Sequence, residues 1–317
     1  MPEREKLIRA VDGGGQGFRR ADIYGSEIRN MLQTGQCGSA DQLLDFVCGD
    51  LPKNTVGVAY AMAGEINKGN VVVKSPQIPW LNKAALADST RNRCGIPCRV
   101  FNDMDGAVAG MAKLLPALRY FMGITWSSGI GLRIFRQGEI VAASEGGHIP
   151  LDDSPSAPLC GCGLRGCAES ILGGESVKRR VIAETQALGP EALDMKIPGG
   201  VRFELANPCA FLDKAFDQGE KWAGDIYDLI SQGMGKFLAT YQAILRLPAV
   251  VWKGTFARNA LPRIEANIRH YMRKRLINPD WEKDMKFFFS PEPQKDSLIG
   301  AASLFLQWKR DLKKMPF

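Results

Sequence analysis

The chain has 317 residues, 45% of them hydrophobic, enough to bury one large core or two moderate ones, which excludes a disordered protein. Its start, MPEREKLIRAVDGGG, holds no apolar stretch of signal-peptide length, and no window approaches roughly 18 uncharged apolar residues, so a soluble, unexported protein is expected. The formal charge of +7 comes from scattered Lys and Arg, concentrated only at residues 269–275 and 309–314; solvated helix faces explain those runs better than a nucleic-acid surface does.

Residues 7–28, LIRAVDGGGQGFRRADIYGSEI, read as an apolar strand, a glycine-rich turn, an alternating strand, a second turn and a third strand. Helical periodicity at Ala107, Val108, Met111 and Leu114 follows a further candidate strand. Residues 121–140, FMGITWSSGIGLRIFRQGEI, repeat the opening plan: Gly15, Gly17 and Phe18 fall against Gly129, Gly131 and Leu132, and Glu27-Ile28 against Glu139-Ile140. Two glycine-turned hairpins at the starts of two halves are what a duplicated fold shows when each hairpin holds phosphate from one side of a cleft.

The strongest single signal follows. His148, Cys160, Cys162 and Cys167 place one imidazole and three thiols within twenty residues, the donor set of a closed, structural, tetrahedral zinc site. Gly161, Gly163 and Gly166 let the backbone turn tightly enough for the sulfurs to converge. The eight cysteines are too dilute for a disulfide scaffold, and the crowding of three of them suggests metal in a reducing compartment. Cys94 and Cys98, spaced Cys-x3-Cys, read as ordinary thiols. The segment from Leu188 to Pro208, with Pro190, Pro198 and Gly199-Gly200, looks like an irregular connection. Ile226, Ile230, Met234, Phe237, Leu238 and Tyr241 then mark a long helix between Asp225 and Leu247. Strands alternating with helices give an α/β class.

Glu145-Gly-Gly-His148 and Cys160-Gly-Cys162-Gly-Leu-Arg-Gly-Cys167-Ala-Glu169 closely resemble the signature of the ROK family (repressors, open reading frames and sugar kinases), and the resemblance runs collinearly from Asp12 to about Ala302. It implies an actin-like, hexokinase-like ATPase fold with two lobes and a cleft between them. The lobes are expected at residues 1–115 and 116–302, with a C-terminal helix at about 303–317 returning to the first.

The resemblance also implies roles. Asn102-Asp103 is similar to the family's Asn-Asp pair, the aspartate accepting the proton of the attacking sugar hydroxyl and the asparagine holding a neighbouring hydroxyl; a carboxylate there suits phosphoryl transfer. Asp103 also suits a helix cap ahead of Met104. Glu145 and His148 resemble the sugar-contacting pair, Glu169 a third polar contact at a helix start, and Gly64 part of a sugar-side loop. Pro76-Gln-Ile-Pro-Trp80 resembles a loop that often reads Pro-Asn-Leu-Pro-Trp in glucokinases, although Trp80 suits a core aromatic equally well. Asp12, Gly14 and Gly15 resemble the first phosphate motif, near magnesium; Ser128 and Gly129 resemble the second; Gly254 and Thr255 resemble the turn beside adenosine. Gln16, Ser127 and Ser144 depart from the usual residues and bear on nucleotide affinity and pocket shape.

Together these imply a cytoplasmic, homodimeric hexose kinase using ATP, Mg2+ and a structural Zn2+, with glucose as the favoured sugar. The alternatives are N-acetylmannosamine, N-acetylglucosamine or fructose as substrate, polyphosphate as donor, or a non-catalytic sugar-binding homologue. A regulator of the same family would carry a helix-turn-helix unit, which does not fit ahead of Asp12 in this chain.

Overall fold

In a computed structural model of the protein, residues 6–14, 17–35, 37–75, 77–142, 145–188 and 207–314 are described. The sequence-predicted phosphate-loop residues Gly15 and Gln16, Pro76, Ser144 and residues 189–206 of the expected irregular connection lie outside them.

One five-stranded sheet is built from β1 (Leu7–Gly14), β2 (Gly17–Tyr24), β3 (Glu27–Thr34), β4 (Thr55–Met62) and, after the two-stranded ribbon of β5 (Glu65–Asn67) and β6 (Val71–Lys74), β7 (Cys98–Asn102). Its order is β3-β2-β1-β4-β7, a β1–β3 antiparallel meander followed by parallel strands. The other comprises β8 (Tyr120–Trp126), β9 (Ile130–Arg136), β10 (Glu139–Ala142), β11 (Ala249–Lys253) and β12 (Lys286–Phe289), in the order β10-β9-β8-β11-β12. The two orders are the same plan, so the internal echo of the sequence is realised as two sheets of matching topology.

The chain folds into two compact units: Met1–Arg119 with Arg133–Ala143 and Ser290–Phe317, and Tyr120–Leu132 with Ser144–Phe289. The sequence alone drew one boundary, between residues 115 and 116, with a return near 303. In the first unit, α1 (Ala40–Cys48), α2 (Leu86–Cys94) and α3 (Asp103–Leu114) accompany the first sheet. The two-residue period of β4 sorts its side chains: Val58, Tyr60 and Met62 join Val11, Leu43 and Leu86 on one face, while the smaller Ala59 and Ala61 join Ile8 and Ala10 on the other.

In the second unit lie α4 (Ala168–Leu172), α5 (Gly174–Ala187), α6 (Pro208–Asp217), α7 (Lys221–Leu245), α8 (Thr255–Arg273) and α9 (Trp281–Asp284). The predicted helix from Asp225 to Leu247 is α7, begun one turn earlier. The last helix, α10 (Asp296–Leu312), belongs to the first unit and covers the alanine face of its sheet with Leu298, Ala301, Ala302 and Phe305. No described helix is long and apolar enough to cross a membrane.

One cysteine expectation fails. Cys94 is bonded to Cys48, closing a sequence separation of 46 residues between the last residues of α2 and α1. Cys98, four residues further on, stays a free, buried thiol. The reading as ordinary thiols holds for Cys98 and fails for Cys94, because helix packing and not sequence proximity brings Cys94 to Cys48.

Candidate functional site

In the first unit the site residues collect at the carboxyl ends of adjacent parallel strands, the usual place for ligands in open α/β sheets. Register aligns Asp12 with Ala61 and Ala61 with Phe101; the next row aligns Gly13, Met62 and Asn102. Gly14, which ends β1, borders the glycine turn, and a Cβ on Gly13 would lie 2.8 Å from the Met62 sulfur. Opposite Asp12 on β2 stands Arg19, whose guanidinium donates to Asp12 Oδ2 at 2.5 Å and to the Gln294 carbonyl at 3.2 Å. Asp12 Oδ1 makes no hydrogen bond among the described residues.

Asn102, not Asp103, is the cap of α3: its backbone is extended and its Oδ1 accepts from the Met104 amide at 2.9 Å. Asp103 is the first helical residue, and its own Oδ1 shares that amide at 2.9 Å. A half-buried carboxylate thus stands at the N-terminus of α3, directly after the end of β7. Asn102 Nδ2 donates to the Gly64 carbonyl at 2.9 Å. Gly64 itself has φ +128°, and a Cβ there would meet the Lys74 carbonyl at 2.4 Å, so only glycine serves. Trp80 sits in a 3-10 turn, Pro79–Leu81, half-buried against the core with its ring 6.0 Å from that of Phe18.

In the second unit the His148 Nδ1 and the sulfurs of Cys160, Cys162 and Cys167 all lie within 4.8 Å of one another. His148 Nδ1 is 3.4 Å from Cys160 Sγ, and Cys162 Sγ is 3.6 Å from Cys167 Sγ. A tetrahedron of ligands at about 2.1–2.3 Å from zinc has edges of roughly 3.4–3.8 Å, which the His148–Cys160 and Cys162–Cys167 separations match, and one imidazole with three thiols is a donor set suited to that ion. Backbone bonds build the cage: the Cys160 amide donates to the Leu164 carbonyl at 2.7 Å, and a bridge between Pro150 and Cys167 ties the histidine segment to the last cysteine. As thiols, Cys160 and Cys167 are pushed up by burial, the latter to about 12, while the Leu164 amide lowers Cys162. Coordination to a divalent cation would deprotonate all three.

The Gly146–His148 turn is pressed against the start of β9. A Cβ on Gly146 would meet the Tyr241 hydroxyl at 2.5 Å, and one on Gly147 the Ile130 carbonyl at 2.0 Å. Glu145 precedes this turn and is exposed. Glu169 lies in the first turn of α4, where its Oε2 accepts from the Ile130 amide at 3.1 Å and lies 2.4 Å from where a Cβ on Gly129 would be. The carbonyls of Ser127 and Ser128 are held by the Gly174 and Glu175 amides at 2.7 and 2.9 Å, so the start of α5 grips the turn from outside. Parallel β8 and β11 bring Gly254 beside Trp126: its φ is +110°, and a Cβ would meet the Trp126 carbonyl at 2.3 Å. Thr255 opens α8, presenting a helix N-terminus next to that turn.

Arg19, Arg133 and Asp105 were not singled out in the sequence. Arg19 was within reach, because the antiparallel pairing of β1 and β2 sets it opposite Asp12. Arg133 shows only as a charge inside the apolar run Leu132-Arg133-Ile134-Phe135.

A two-unit α/β architecture with a duplicated sheet plan and glycine turns at strand ends is the hexokinase-like ATPase fold of ROK proteins. The chain belongs to the ROK family, whose model matches residues 41–308. It is 25% identical over 259 residues to the glucokinase of Thermotoga maritima, covering 78% of each chain. It is 29% identical over 259 residues to the N-acetylmannosamine kinase of Yersinia pseudotuberculosis, covering 78% of this chain and 82% of that one. Among solved structures it matches a ROK family glucokinase from Streptomyces griseus, in complex with glucose and AMPPNP, with a TM-score of 0.72 and 24% identity over 94% of this chain and 98% of that one.

Proposed function

We propose that the chain is an ATP-dependent hexose kinase that phosphorylates the 6-hydroxyl of glucose, with Asp103 as general base. The observation that carries the reading is the set of adjacent strand ends in the first unit: Asp12 directly precedes Gly13, Gly13 stands level with Met62 and Asn102, and Asp103 follows that row as the first residue of α3. Relatives that phosphorylate sugars by name support the class, and the Pro-Trp loop at Pro79-Trp80 favours glucose among hexoses.

In the proposed step the sugar hydroxyl oxygen bonds to the terminal phosphorus as the bond from that phosphorus to the bridging oxygen breaks. The hydroxyl proton passes to Asp103, and ADP leaves. Asn102, Glu145, His148 and Glu169 contact sugar hydroxyls; the glycine turns at Gly14 and Gly129 approach phosphate, and Gly254-Thr255 borders adenosine. Asp12 would hold magnesium through water, and the ion would supply positive charge beside the phosphates. Zinc would be held by His148 Nδ1 and the three cysteines, fixing the ring so that Nε2 is presented as a donor. A cytoplasmic homodimer belongs to the same proposal, and sedimentation velocity tests the dimer.

The test is a coupled assay across glucose, mannose, N-acetylmannosamine, N-acetylglucosamine and fructose, with ATP and polyphosphate as donors. Glucose with ATP is expected to have the highest kcat/KM; a maximum at N-acetylmannosamine would reassign the substrate. Asp103→Asn is expected to keep its zinc and melting temperature and lose roughly a hundredfold to ten-thousandfold in kcat. Turnover close to wild type would remove Asp103 from the role of base.

A further inference from the structure

Arg133 is a charged residue with 5% of its surface exposed, on β9, in the first unit. Its Nε donates to Asp105 Oδ1 at 2.6 Å and its Nη2 to Asn102 Oδ1 at 2.8 Å. The guanidinium therefore braces the first turn of α3 at two points, the cap and the third helical residue, on either side of Asp103 in sequence. A buried cation is costly unless paired and fully hydrogen-bonded, so its presence between Leu132 and Ile134 calls for a reason beyond packing.

The bonds settle which way the Asn102 amide faces. Arg133 Nη2 and the Met104 amide are obligate donors, and the Gly64 carbonyl is an obligate acceptor. The atom facing the two donors is thus oxygen and the atom facing Gly64 is nitrogen, with no freedom to flip. Both Oδ1 lone pairs are then occupied, and one of the two Nδ2 hydrogens is used. What remains to Asn102 is a single N–H.

We infer that Arg133, neutralised by Asp105, is a positioning residue that locks Asn102 as a one-bond donor to a substrate oxygen and fixes the turn carrying Asp103. A sugar hydroxyl that meets Asn102 must accept there, which leaves its own proton to be given elsewhere. Arg133 does this through Asn102 and Asp105, in the first turn of α3. The inference rests on the kinase reading and adds to it a specific constraint: the site favours an acceptor atom at this position and discriminates against a sugar that lacks the oxygen.

Steady-state kinetics on the full-length, zinc-loaded protein test it. Arg133→Met is expected to lower kcat/KM for the sugar roughly a hundredfold, the scale of an ångström-sized misplacement, with KM for ATP within twofold of wild type. Arg133→Lys, a point charge without the fork, should recover part of that loss by keeping one of these two bonds, to Asp105 or to Asn102. Because Arg133→Met leaves Asp105 unpaired, the double variant Arg133→Met/Asp105→Asn guards against a folding defect; it should melt close to wild type and remain as slow as the single variant. Asn102→Asp keeps both acceptances and removes the N–H donors, and should lose sugar kcat/KM without losing its fold. In the Asn102→Ala/Asp105→Asn background, where both braced points are already changed, Arg133→Met should add less than threefold. Full activity in a folded Arg133→Met/Asp105→Asn protein, or additive losses in the Asn102→Ala/Asp105→Asn background, would overturn the inference while Asp103→Asn still tested the base. A wild-type chain that phosphorylates no sugar would overturn both together.

Discussion

Gly147 illustrates what a motif conceals. The pattern Glu-x-Gly-His was legible in the sequence, yet the reason for Gly147 was not: the Ile130 carbonyl lies 2.0 Å from where its Cβ would be, and that contact spans the distance between β9 and the histidine turn. Gly147→Ala must therefore push the turn off the strand or bend the strand. The expected cost is about 1–3 kcal/mol, with a loss of zinc affinity because His148 is the next residue. Chemical denaturation and zinc content by elemental analysis check it; an unchanged midpoint with full zinc would mean the turn yields without moving the histidine. Asp103 and Asn102 divide similarly. Their residue types and adjacency marked a base and its neighbour, while the cap was assigned to Asp103 and belongs to Asn102, because which of two adjacent polar residues caps is decided by where the strand ends. Arg133 lay beyond the reach of the sequence, since its partners stand 28 and 31 residues away and nothing local announces a pair.

At the scale of elements, the two cysteine groups behave oppositely. The cage of Cys160, Cys162 and Cys167 is made within one short, glycine-rich segment plus one nearby histidine, so composition and spacing sufficed to find it. The Cys48–Cys94 bond joins the ends of two helices far apart in sequence, and Cys94 was read as a free thiol. Closing a separation of 46 residues restricts the unfolded chain by up to about 4 kcal/mol on the loop-entropy account, with delivered values commonly nearer 2. Cys48→Ser/Cys94→Ser should lower the melting temperature without changing zinc stoichiometry. A non-chelating phosphine reductant should reproduce that shift in the wild type, and a chelator at neutral pH should instead strip zinc and leave the disulfide intact by mass spectrometry. A double variant that melts with the wild type would show the bond to be stability-neutral and reopen the reducing-compartment expectation for this pair.

For the whole molecule, the duplicated plan was the most legible feature, because each half announces itself with a strand, a glycine turn and a second strand in the same order. The tertiary role of the C-terminus was less so. A Cβ on Gly300 would lie 1.7 Å from the Gly106 carbonyl, and one on Gly110 would lie 1.9 Å from the Asp296 carbonyl, so α10 and α3 cross with their backbones in contact. The last helix thus braces the helix whose first residue is Asp103, almost two hundred residues earlier in the chain. Its Leu298, Ile299 and Phe305 are fully buried or nearly so, and at about 1.5–3 kcal/mol each they represent roughly 5–9 kcal/mol, comparable to the entire stability of a typical domain. The first unit should therefore fold only once residues 290 onward are present. A chain ending at Phe289 is expected to bind the dye ANS, to lose near-ultraviolet dichroism from the tyrosine and phenylalanine environment of the first sheet, and to turn over no substrate, while retaining one zinc in its second unit. Gly300→Leu, which keeps every residue of the full chain, should weaken the same unit by forcing the helices apart and should slow turnover beyond what its stability loss explains, because the start of α3 moves with the crossing. A truncated chain with native dichroism would show that the sheet and α3 hold together without their last helix.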